Sequence, residues 1–536
     1  MIRVSWVAGP MVAVLMSQYM IQVVTLMMVG HLGPLYLSST ALAVSLAAVT
    51  GFSLLLGMAG ALETLSGQSY GAQQYKKLGT QTYTAIISLT LFSIPLSVIW
   101  IYMEDILVFI GQDPSISHEA GRFMTYLVPT LISYAVFQPL VRYFQSQSLV
   151  VPMLVSSCCT LCLHIPLCWA LVHKFGLKNI GGAMAMGISN WLNAIFLALF
   201  MMFSPSCAAT RSPLSMEMFH GIGLFFRFAI PSASMICLEW WSFELLILLS
   251  GFLPNPELET SVLSVCLTTI SALFAIPYGI AAAASTRIAN ELGAGNPQAA
   301  RVAACGVVVM GVTNGLIVSS ILFATRRVFG YCFSNEKQVV DYVFTMAPLI
   351  CANVIFDSIQ AVLSGVARGC GWQHLGTYAN LAAYYLVGIP ISVTLGFWMQ
   401  MRGRGLWMGV MIGAMTQAVL LSIITSRTNW EEEARKARKR VAEESSGDTK
   451  VVAAARLLVK GKHLIVEPDQ DEVVSKATTT ARKKLTPRKK KVHDLVEAEV
   501  VSKAKFDKHV HGLGIKQVVE TEVQSYDPEE TWPELE

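Results

Sequence analysis

The stretch "GMAGALETLSGQSYGA" at residues 57–72 recurs in diverged form as "GIAAAASTRIANELGA" at residues 279–294. Glycine and threonine positions of the two stretches align at one constant offset, in the pairs Gly57 with Gly279, Thr64 with Thr286, and Gly71 with Gly293. Separate proline matches give nearly the same offset, in the pairs Pro10 with Pro231 and Pro129 with Pro348. Close agreement of the offset at separate places indicates that the chain contains two related halves.

Apolar segments dominate residues 1–427 of this 536-residue chain, which is 54% hydrophobic and only 14% charged. A soluble domain carries about 25% charged residues, and a helix of about 20 apolar residues spans a bilayer. Windows of that length predict twelve transmembrane helices, at residues 7–30, 38–66, 80–103, 117–146, 151–173, 181–203, 219–252, 258–292, 298–325, 337–367, 374–399 and 405–427. The predicted fold class is an all-α membrane protein.

The number of helices in each half determines how the halves are related. Because six is even, both halves enter the membrane in the same direction, which makes them parallel repeats around a central cavity. We expect an N-terminal lobe at residues 1–210 and a C-terminal lobe at residues 211–427. Two similar lobes around a cavity are typical of alternating-access transport, and we expect the protein to be a monomer.

Residues 428–536 differ in character from the helices before them. Segments such as "NWEEEARKARKRVAEESSGDTK" and "ARKKLTPRKKKVHD" are rich in charge and poor in aromatic residues, so we expect disorder after a frayed initial helix. The basic residues of this tail favour a cytoplasmic position for both termini. Two alternatives stay open for the tail: a segment that binds anionic lipid, or additional sequence that is not a regular part of the protein.

Carboxylates occur inside two of the predicted helices, in "MICLEWWSFELLILLSG" and "NVIFDSIQAVLS". A charged side chain at the centre of a bilayer costs about 3 kcal/mol on insertion scales, so we expect these acids to face protein or water. The repeat places Glu239 opposite Gln18 and Asp357 opposite Gln138. Only the second half therefore carries charge at these positions, which indicates that the C-terminal lobe handles a cation.

Polar residues also share faces on these helices and on the first helix. Asn353 lies one turn before Asp357, and Gln18 and Gln22 are likewise one turn apart. Glu244 is five residues after Glu239, about 140° around the helix, so we expect the two acids not to face one cavity equally.

A buried carboxyl can couple transport to protons because burial disfavours its charged form. Such a group loads a proton on one side of the membrane and releases it on the other. It also binds a cationic substrate, so that proton and substrate compete for one site. We predict this proton-coupling role for Glu239 and Asp357. The alternative is that these acids only form hydrogen bonds with neighbouring helices.

Aromatic side chains near the acids are candidates for substrate binding. Trp240 and Trp241 can stack on a flat or cationic solute, and Tyr384 in "NLAAYYLVG" is a similar candidate. Packing against neighbouring helices is the alternative for all three. The residues predicted for the substrate cavity are Gln18, Gln22, Gln138, Trp240, Trp241, Glu244, Asn353 and Tyr384.

Polar residues also end two predicted helices that the repeat relates. Arg287, Asn290 and Glu291 precede "GAGNP", and Glu63 and Gln68 occupy the corresponding place in the first half. Polar residues at the end of a span are usually interfacial. We therefore expect these residues in cytoplasmic loops that take part in gating.

Several classes of function are disfavoured by motifs that the sequence lacks. There is no Gly-x-x-x-x-Gly-Lys-Ser/Thr loop for nucleotides, which disfavours a primary pump. No Ser-His-Asp set and no metal-ligand spacing indicate an enzyme, and we expect no cofactor, metal site or nucleic-acid partner. A secondary antiporter of organic solutes is favoured, with a membrane receptor as the alternative. Sodium coupling also stays open, because Asp357 and Asn353 can supply oxygen ligands.

Long segments in both halves resemble one known family. The chain resembles the plant branch of the multidrug and toxic compound extrusion (MATE) family, of the detoxification-protein type, over residues 5–427, in the segments "GFSLLLGMAGALETLSGQSYGAQQY", "PSASMICLEWWSFELLILLSGFLPNPELETSVLSVCL", "GVARGCGWQ" and "NLAAYYLVGIP". The resemblance implies a twelve-helix, two-lobe fold and the export of organic compounds in exchange for protons. It also implies that Glu239 and Asp357 take part in coupling.

The resemblance includes one departure and sets the expected partners. Bacterial relatives often have an acid in the first helix, where this chain has Thr25 in "VVTLMMVGHLG", which argues against a proton site in the first lobe. Plant relatives move flavonoid conjugates, alkaloids, hormones or drugs. The implied partners are therefore a small organic solute, protons and the lipid bilayer, in a vacuolar membrane or a plasma membrane.

Overall fold

The computed structural model describes residues 2–213, 215–332 and 336–443. Within these residues, twelve helices are long and apolar enough to cross a membrane. They are α1 (Ile2–Gly30), α2 (Pro34–Gly71), α3 (Tyr75–Ile101), α4 (Pro114–Ser146), α5 (Val150–Lys174), α6 (Lys178–Phe203), α7 (Ile222–Ser250), α8 (Pro256–Ala294), α9 (Pro297–Phe329), α10 (Lys337–Cys370), α11 (Gln373–Trp398) and α12 (Arg402–Ser426). Short helices lie between them, at Met103–Ile110, Pro205–Cys207, Glu217–His220 and Gly330–Cys332.

The predicted twelve-helix, all-α fold is confirmed, and α2 shows where hydropathy misplaces a boundary. This helix was predicted at 38–66 but continues to Gly71. The turn beyond the predicted end contains polar residues such as Gln68 and Ser69, which hydropathy assigns to a loop, yet both side chains are buried against other helices. Its first turn starts at Pro34, a residue that is favourable there because the missing N–H would have no partner in any case.

Contacts between the halves follow the repeat. Helix α1 packs against α8, while α7, the counterpart of α1, packs against α2, the counterpart of α8. A Cβ placed on Gly57 would lie 2.5 Å from Ala233, and one placed on Gly279 would lie 2.6 Å from Val12. The two glycines are equivalent in the repeat, and their partners Val12 and Ala233 are equivalent at the offset of the first proline pair. The parallel pseudo-repeat is therefore present in the structure as two matching close contacts, whereas the lobe boundary at residues 210 and 211 stays a prediction.

Because the chain reverses direction from one helix to the next, α2, α4, α6, α8, α10 and α12 all end on the side of the bundle where α1 begins. We call this the terminal side and the opposite one the distal side.

Residues 430–443 form a further helix, α13, on the terminal side. Asn429 caps its first turn by accepting hydrogen bonds from the backbone N–H groups of Glu431 and Glu432. Arg438 donates to the carbonyl of Ala294 at 3.0 Å, and Arg440 donates to that of Cys370 at 3.0 Å. The folded body thus extends to residue 443, beyond the predicted start of the disordered tail at residue 428. The prediction for 444–536 lies outside the described residues.

Candidate functional site

A cavity of about 360 Å³ lies between the two halves, with walls from α1, α2, α4, α6, α7, α8 and α10. Its wall contains both acids predicted to couple to protons and five of the residues predicted to bind substrate, namely Glu239, Asp357, Gln18, Gln22, Gln138, Trp240 and Glu244. The repeat therefore led to residues that the fold brings together from four different helices.

Three predicted residues do not line this cavity. Trp241 follows Trp240 on α7 but points to α2, where its indole Nε1 donates to the carbonyl of Val49 at 3.1 Å. Asn353 and Tyr384 are fully buried, because they pack behind the cavity wall inside the second half. These three residues were expected in the cavity wall, but in the structure they pack against neighbouring helices instead.

Glu239 is buried on α7 and bonded to α10. Its Oε1 accepts a hydrogen bond from Nε2 of Gln360 at 2.8 Å, and its side chain is 9% exposed. A hydrogen-bond donor stabilises the ionised form of a carboxyl, whereas burial opposes it. The hydrogen bond from Gln360 therefore partly offsets the cost of burying the Glu239 carboxylate.

Asp357 is the second buried acid of the cavity, on α10. Its Oδ2 accepts a hydrogen bond from Nδ2 of Asn353 at 2.5 Å, and its Oδ1 has no hydrogen-bond partner among the described residues. When both are ionised, Asp357 and Glu239 repel each other. Asp357 and Glu239 both line the cavity, and we call them the acid pair.

A chain of amides supports the acid pair from behind. Nε2 of Gln417 donates to Oδ1 of Asn380 at 2.7 Å, and Nδ2 of Asn380 donates to the carbonyl of Met235 at 2.6 Å. These bonds join α12, α11 and α7. Sequence reasoning missed Gln360 and Gln417. The available signal was weak, because Gln360 lies only one turn after Asp357 and Gln417 is an isolated polar residue in an apolar helix.

Glu244 lies in the same cavity, although its spacing from Glu239 predicted unequal faces. Its Oε2 accepts a hydrogen bond from Ser45 of α2 at 3.2 Å. The cavity extends around α7 as far as Ala48 and Phe52 of α2, so it reaches two different faces of α7. Glu244 therefore contributes a third carboxylate to the wall.

The wall from the first half carries amides, phenols and one cation. Besides the predicted glutamines, it contains residues that sequence reasoning missed, which are Tyr19, Tyr134, Arg142 and Asn190, and α8 adds Phe274 and Tyr278. Thr25 lies outside the wall: its hydroxyl bonds to Nε2 of His164 at 3.0 Å, and Nδ1 of His164 bonds to Ser189 at 2.8 Å. The first half thus places no carboxylate in the described cavity wall.

A buried ion-pair triad lies next to the cavity on the terminal side. Oε1 of Glu63 lies 2.7 Å from Nη1 of Arg142, and Oε2 lies 2.8 Å from Nε of Arg368. The expectation that Glu63 and Gln68 lie in a loop was wrong: both are buried within α2. The reason is that Glu63 meets two guanidinium groups inside the protein, which a single sequence does not reveal.

Comparison with known proteins agrees with this fold. The MatE family model matches residues 10–170 and 231–394, two segments that begin at the matched prolines Pro10 and Pro231. Protein DETOXIFICATION 14 of Arabidopsis thaliana is 59% identical over 439 residues, which cover 82% of this chain and 90% of that protein. Protein DETOXIFICATION 12 of the same plant is 57% identical over 440 residues, covering 82% of this chain and 92% of the relative.

Solved structures show the same architecture. The crystal structure of the eukaryotic MATE transporter AtDTX14 matches with a TM-score of 0.80 at 59% identity, over 82% of this chain and 98% of that one. A MOP superfamily transporter from Pyrococcus furiosus matches with a TM-score of 0.71 at 14% identity, over 83% and 96%, which shows a shared fold alone. The family match, the plant relatives and the fold together show that this chain belongs to the MATE family of multi-pass membrane transporters.

Proposed function

We propose that this protein exports small organic solutes in exchange for protons, by alternating access to the cavity between its halves. One observation carries the proposal: the three carboxylates in the described cavity wall, Glu239, Glu244 and Asp357, all come from the second half. A receptor of the same fold has no need for titratable groups in its binding cavity. The asymmetry therefore favours transport coupled to protons.

The acid pair supplies the exchange chemistry in this proposal. With one proton or none, Glu239 and Asp357 carry negative charge and attract a cationic group of the solute. Uptake of a further proton removes that charge and weakens the attraction, so that proton and solute displace each other. The free Oδ1 of Asp357 is the acceptor that remains open to a proton or a ligand.

Aromatic side chains supply part of the contact with the solute. Trp240, Phe243, Phe274 and Tyr278 line the cavity beside the acids. Their faces attract flat rings and cations. A volume of about 360 Å³ lies within the roughly 300–1,000 Å³ of sites for drug-sized molecules. We therefore infer that the solute is a single amphiphilic molecule of that size.

The last part of the proposal is the number of chains in the transport unit and the membrane that contains it. We infer that one chain forms the transport unit, because the cavity lies between two halves of a single chain. We place it in the vacuolar or the plasma membrane, as the resemblance to the plant branch implies.

The test is uptake of a fluorescent organic cation into vesicles that contain the full chain, driven by a proton gradient. The Glu239→Gln variant keeps the hydrogen-bond acceptor for Gln360 but removes the charge, so we expect uptake to fall about tenfold or more. The matched control is Glu259→Gln. Glu259 is equally buried but lies outside the cavity wall, where its Oε2 accepts bonds from Tyr342 and from the N–H of Gly403, and a glutamine carbonyl can accept both.

The possible outcomes separate the alternatives. Uptake that collapses with an uncoupler and in Glu239→Gln, but not in Glu259→Gln, supports proton antiport through the acid pair. Uptake that is driven by a sodium gradient and not by the proton gradient would show that the coupling ion is sodium instead of the proton. Binding of the cation without accumulation under either gradient would favour the receptor.

A further inference from the structure

The buried ion-pair triad joins the two halves on the terminal side. Glu63 and Arg142 belong to α2 and α4 of the first half, and Arg368 belongs to α10 of the second half. All three side chains are at most 3% exposed. Two guanidinium groups share one carboxylate, so the triad holds one positive charge in excess, and Nη2 of Arg368 has no hydrogen-bond partner among the described residues.

Arg368 lies on the same face of α10 as Asp357 and as Gln360, which bonds to Glu239. Asp357, Gln360, Ser364 and Arg368 follow one another at steps of three or four residues, which is the repeat of one helix face. Gln360 donates its hydrogen bond to Glu239. The same face of one helix therefore connects the acid pair in the cavity to the ion pair that joins the halves.

The charges of Glu239 and Arg368 attract each other inside the protein. The other titratable groups around Glu239 are Asp357 of α10, Tyr384 of α11 and, in the same cavity wall, Glu244 of α7, while Arg368 also faces Tyr278 of α8. Apart from Glu244, which bonds to Ser45 of α2, the acid pair and Arg368 make a buried group of three acids and two cations with Glu63 and Arg142. One proton on the acid pair makes this group neutral, and a second leaves a buried positive charge uncompensated, which is costly.

We propose that Arg368 is a positioning residue that links the protonation of Glu239 to the contact between the halves on the terminal side. The link rests on the proposed proton antiport. Attraction between Glu239 and Arg368 is stronger while the terminal side is closed and dry than after water enters. A proton on Glu239 therefore removes more stability from the closed arrangement than from the open one, which favours opening on the terminal side.

Other contacts between the halves around Arg368 include neutral hydrogen bonds. The hydroxyl of Thr64 donates to the carbonyl of Arg368, and Nε2 of Gln68 donates to that of Gly369 at 3.3 Å. Nδ2 of Asn290 donates to the carbonyl of Ser146 at 3.1 Å. Neutral bonds do not respond to a proton on Glu239, so the charged triad is the part of this contact that can.

The experiment measures hydrogen exchange at residues 60–71 and 282–294, the terminal-side ends of α2 and α8, in the full chain in lipid nanodiscs at one pH. Glu239→Gln imitates the protonated acid, and we expect exchange there to become about tenfold faster. In an Arg368→Gln background, Glu239→Gln should cause no further increase in the exchange rate. In an Arg368→Lys background, which keeps the charge, Glu239→Gln should again increase the exchange rate, although less than in the parent chain. Glu259→Gln is the control and should leave exchange at both segments unchanged.

Glu63→Gln offers a second background if Arg368→Gln does not fold, because it breaks the triad from the other half and should also suppress the response. An equal effect of Glu239→Gln with and without Arg368 would overturn the proposal, as would no effect in the parent chain. Vesicle uptake keeps the two proposals apart. If Glu239→Gln leaves proton-driven uptake intact but speeds exchange only when Arg368 is present, the coupling role proposed for Glu239 fails while its link to Arg368 stands.

Discussion

Gly71 of α2 and Gly293 of α8 lie back to back on the terminal side, each against the backbone of the helix from the other half. A side chain on Gly71 would collide with the carbonyl of Asn290, and one on Gly293 would collide with the carbonyl of Gln68. Both pairs, Gly71 with Gly293 and Gln68 with Asn290, occupy equivalent positions of the repeat. The two helices therefore cross at the pseudo-twofold axis of the repeat, at a distance that only glycine permits.

Alanine at Gly71 or Gly293 should force this crossing apart. Overpacking of this kind costs about 1–3 kcal/mol, and the loss falls on the closed terminal side. We expect a lower thermal midpoint and faster hydrogen exchange at residues 282–294. The control is Gly223→Ala on α7, because a Cβ there meets nothing within 4 Å. Equal midpoints for Gly71→Ala and Gly223→Ala would show that the crossing has room that the structure does not show.

Replacement of Gln360 by leucine should change the pH dependence of transport. The amide of Gln360 donates to Glu239 and so stabilises the ionised carboxylate. Without that donor Glu239 holds its proton more tightly, and the pH at half-maximal uptake should move upward by about one unit, which corresponds to about 1.4 kcal/mol.

The control for this experiment is Gln147→Leu. Gln147 is also a buried glutamine, but it bonds to the carbonyl of Tyr143 and to Thr210, away from the cavity. This variant can lower the amount of folded protein but should leave the pH profile in place. If Gln360→Leu lowers uptake at every pH but leaves the pH of half-maximal uptake unchanged, the hydrogen bond from Gln360 does not set the protonation of Glu239.

The adjacent tryptophans of α7 should differ in what they contribute. Trp240 lines the cavity, whereas Trp241 bonds to Val49 of α2. For Trp240→Ala we expect a KM about tenfold higher for an aromatic cation, from lost stacking. For Trp241→Ala we expect an unchanged KM and a lower thermal midpoint. A raised KM in Trp241→Ala alone would reverse the assignment of these two side chains.

The sequence predicts most strongly what hydropathy and the repeat determine. Twelve helices, two parallel halves and an acidic cavity wall in the second half follow from apolar windows and from Glu239 and Asp357 opposite glutamines. The partners of those acids could not be predicted in this way, because Gln360 meets Glu239 only through the packing of α10 on α7. Glu63 was placed in a loop for the same reason, since its partners Arg142 and Arg368 lie far away in sequence.

Helix α13 was predicted only as a frayed helix, and its packing on the bundle was missed, because its composition is that of a solvated segment. Its buried face consists of small residues, Ala434, Ala437 and Val441, while its charged residues find partners on the bundle. Oε2 of Glu433 accepts a hydrogen bond from Nε1 of Trp372 at 3.0 Å. The aligned carbonyls that end a helix carry partial negative charge, so arginines are favourable there, and this attraction replaces the hydrophobic signal that sequence analysis looks for.

A chain that ends at Arg427 should therefore be less stable than one that ends at Glu443. The shorter chain loses Arg438 and Arg440 from the last carbonyls of α8 and α10 and leaves the indole of Trp372 without its acceptor. Charge-assisted bonds contribute about 1.5–3 kcal/mol each, so the thermal midpoint should fall clearly between the two truncations. In the longer chain, the double variant Arg438→Ala, Arg440→Ala should reproduce much of the fall in thermal midpoint. The control is Lys439→Ala, which removes a positive charge exposed on α13 and should leave the midpoint unchanged. If all four proteins melt together, the contacts of α13 add nothing to the stability of the bundle, and the predicted boundary at residue 427 describes the folded body better than residue 443.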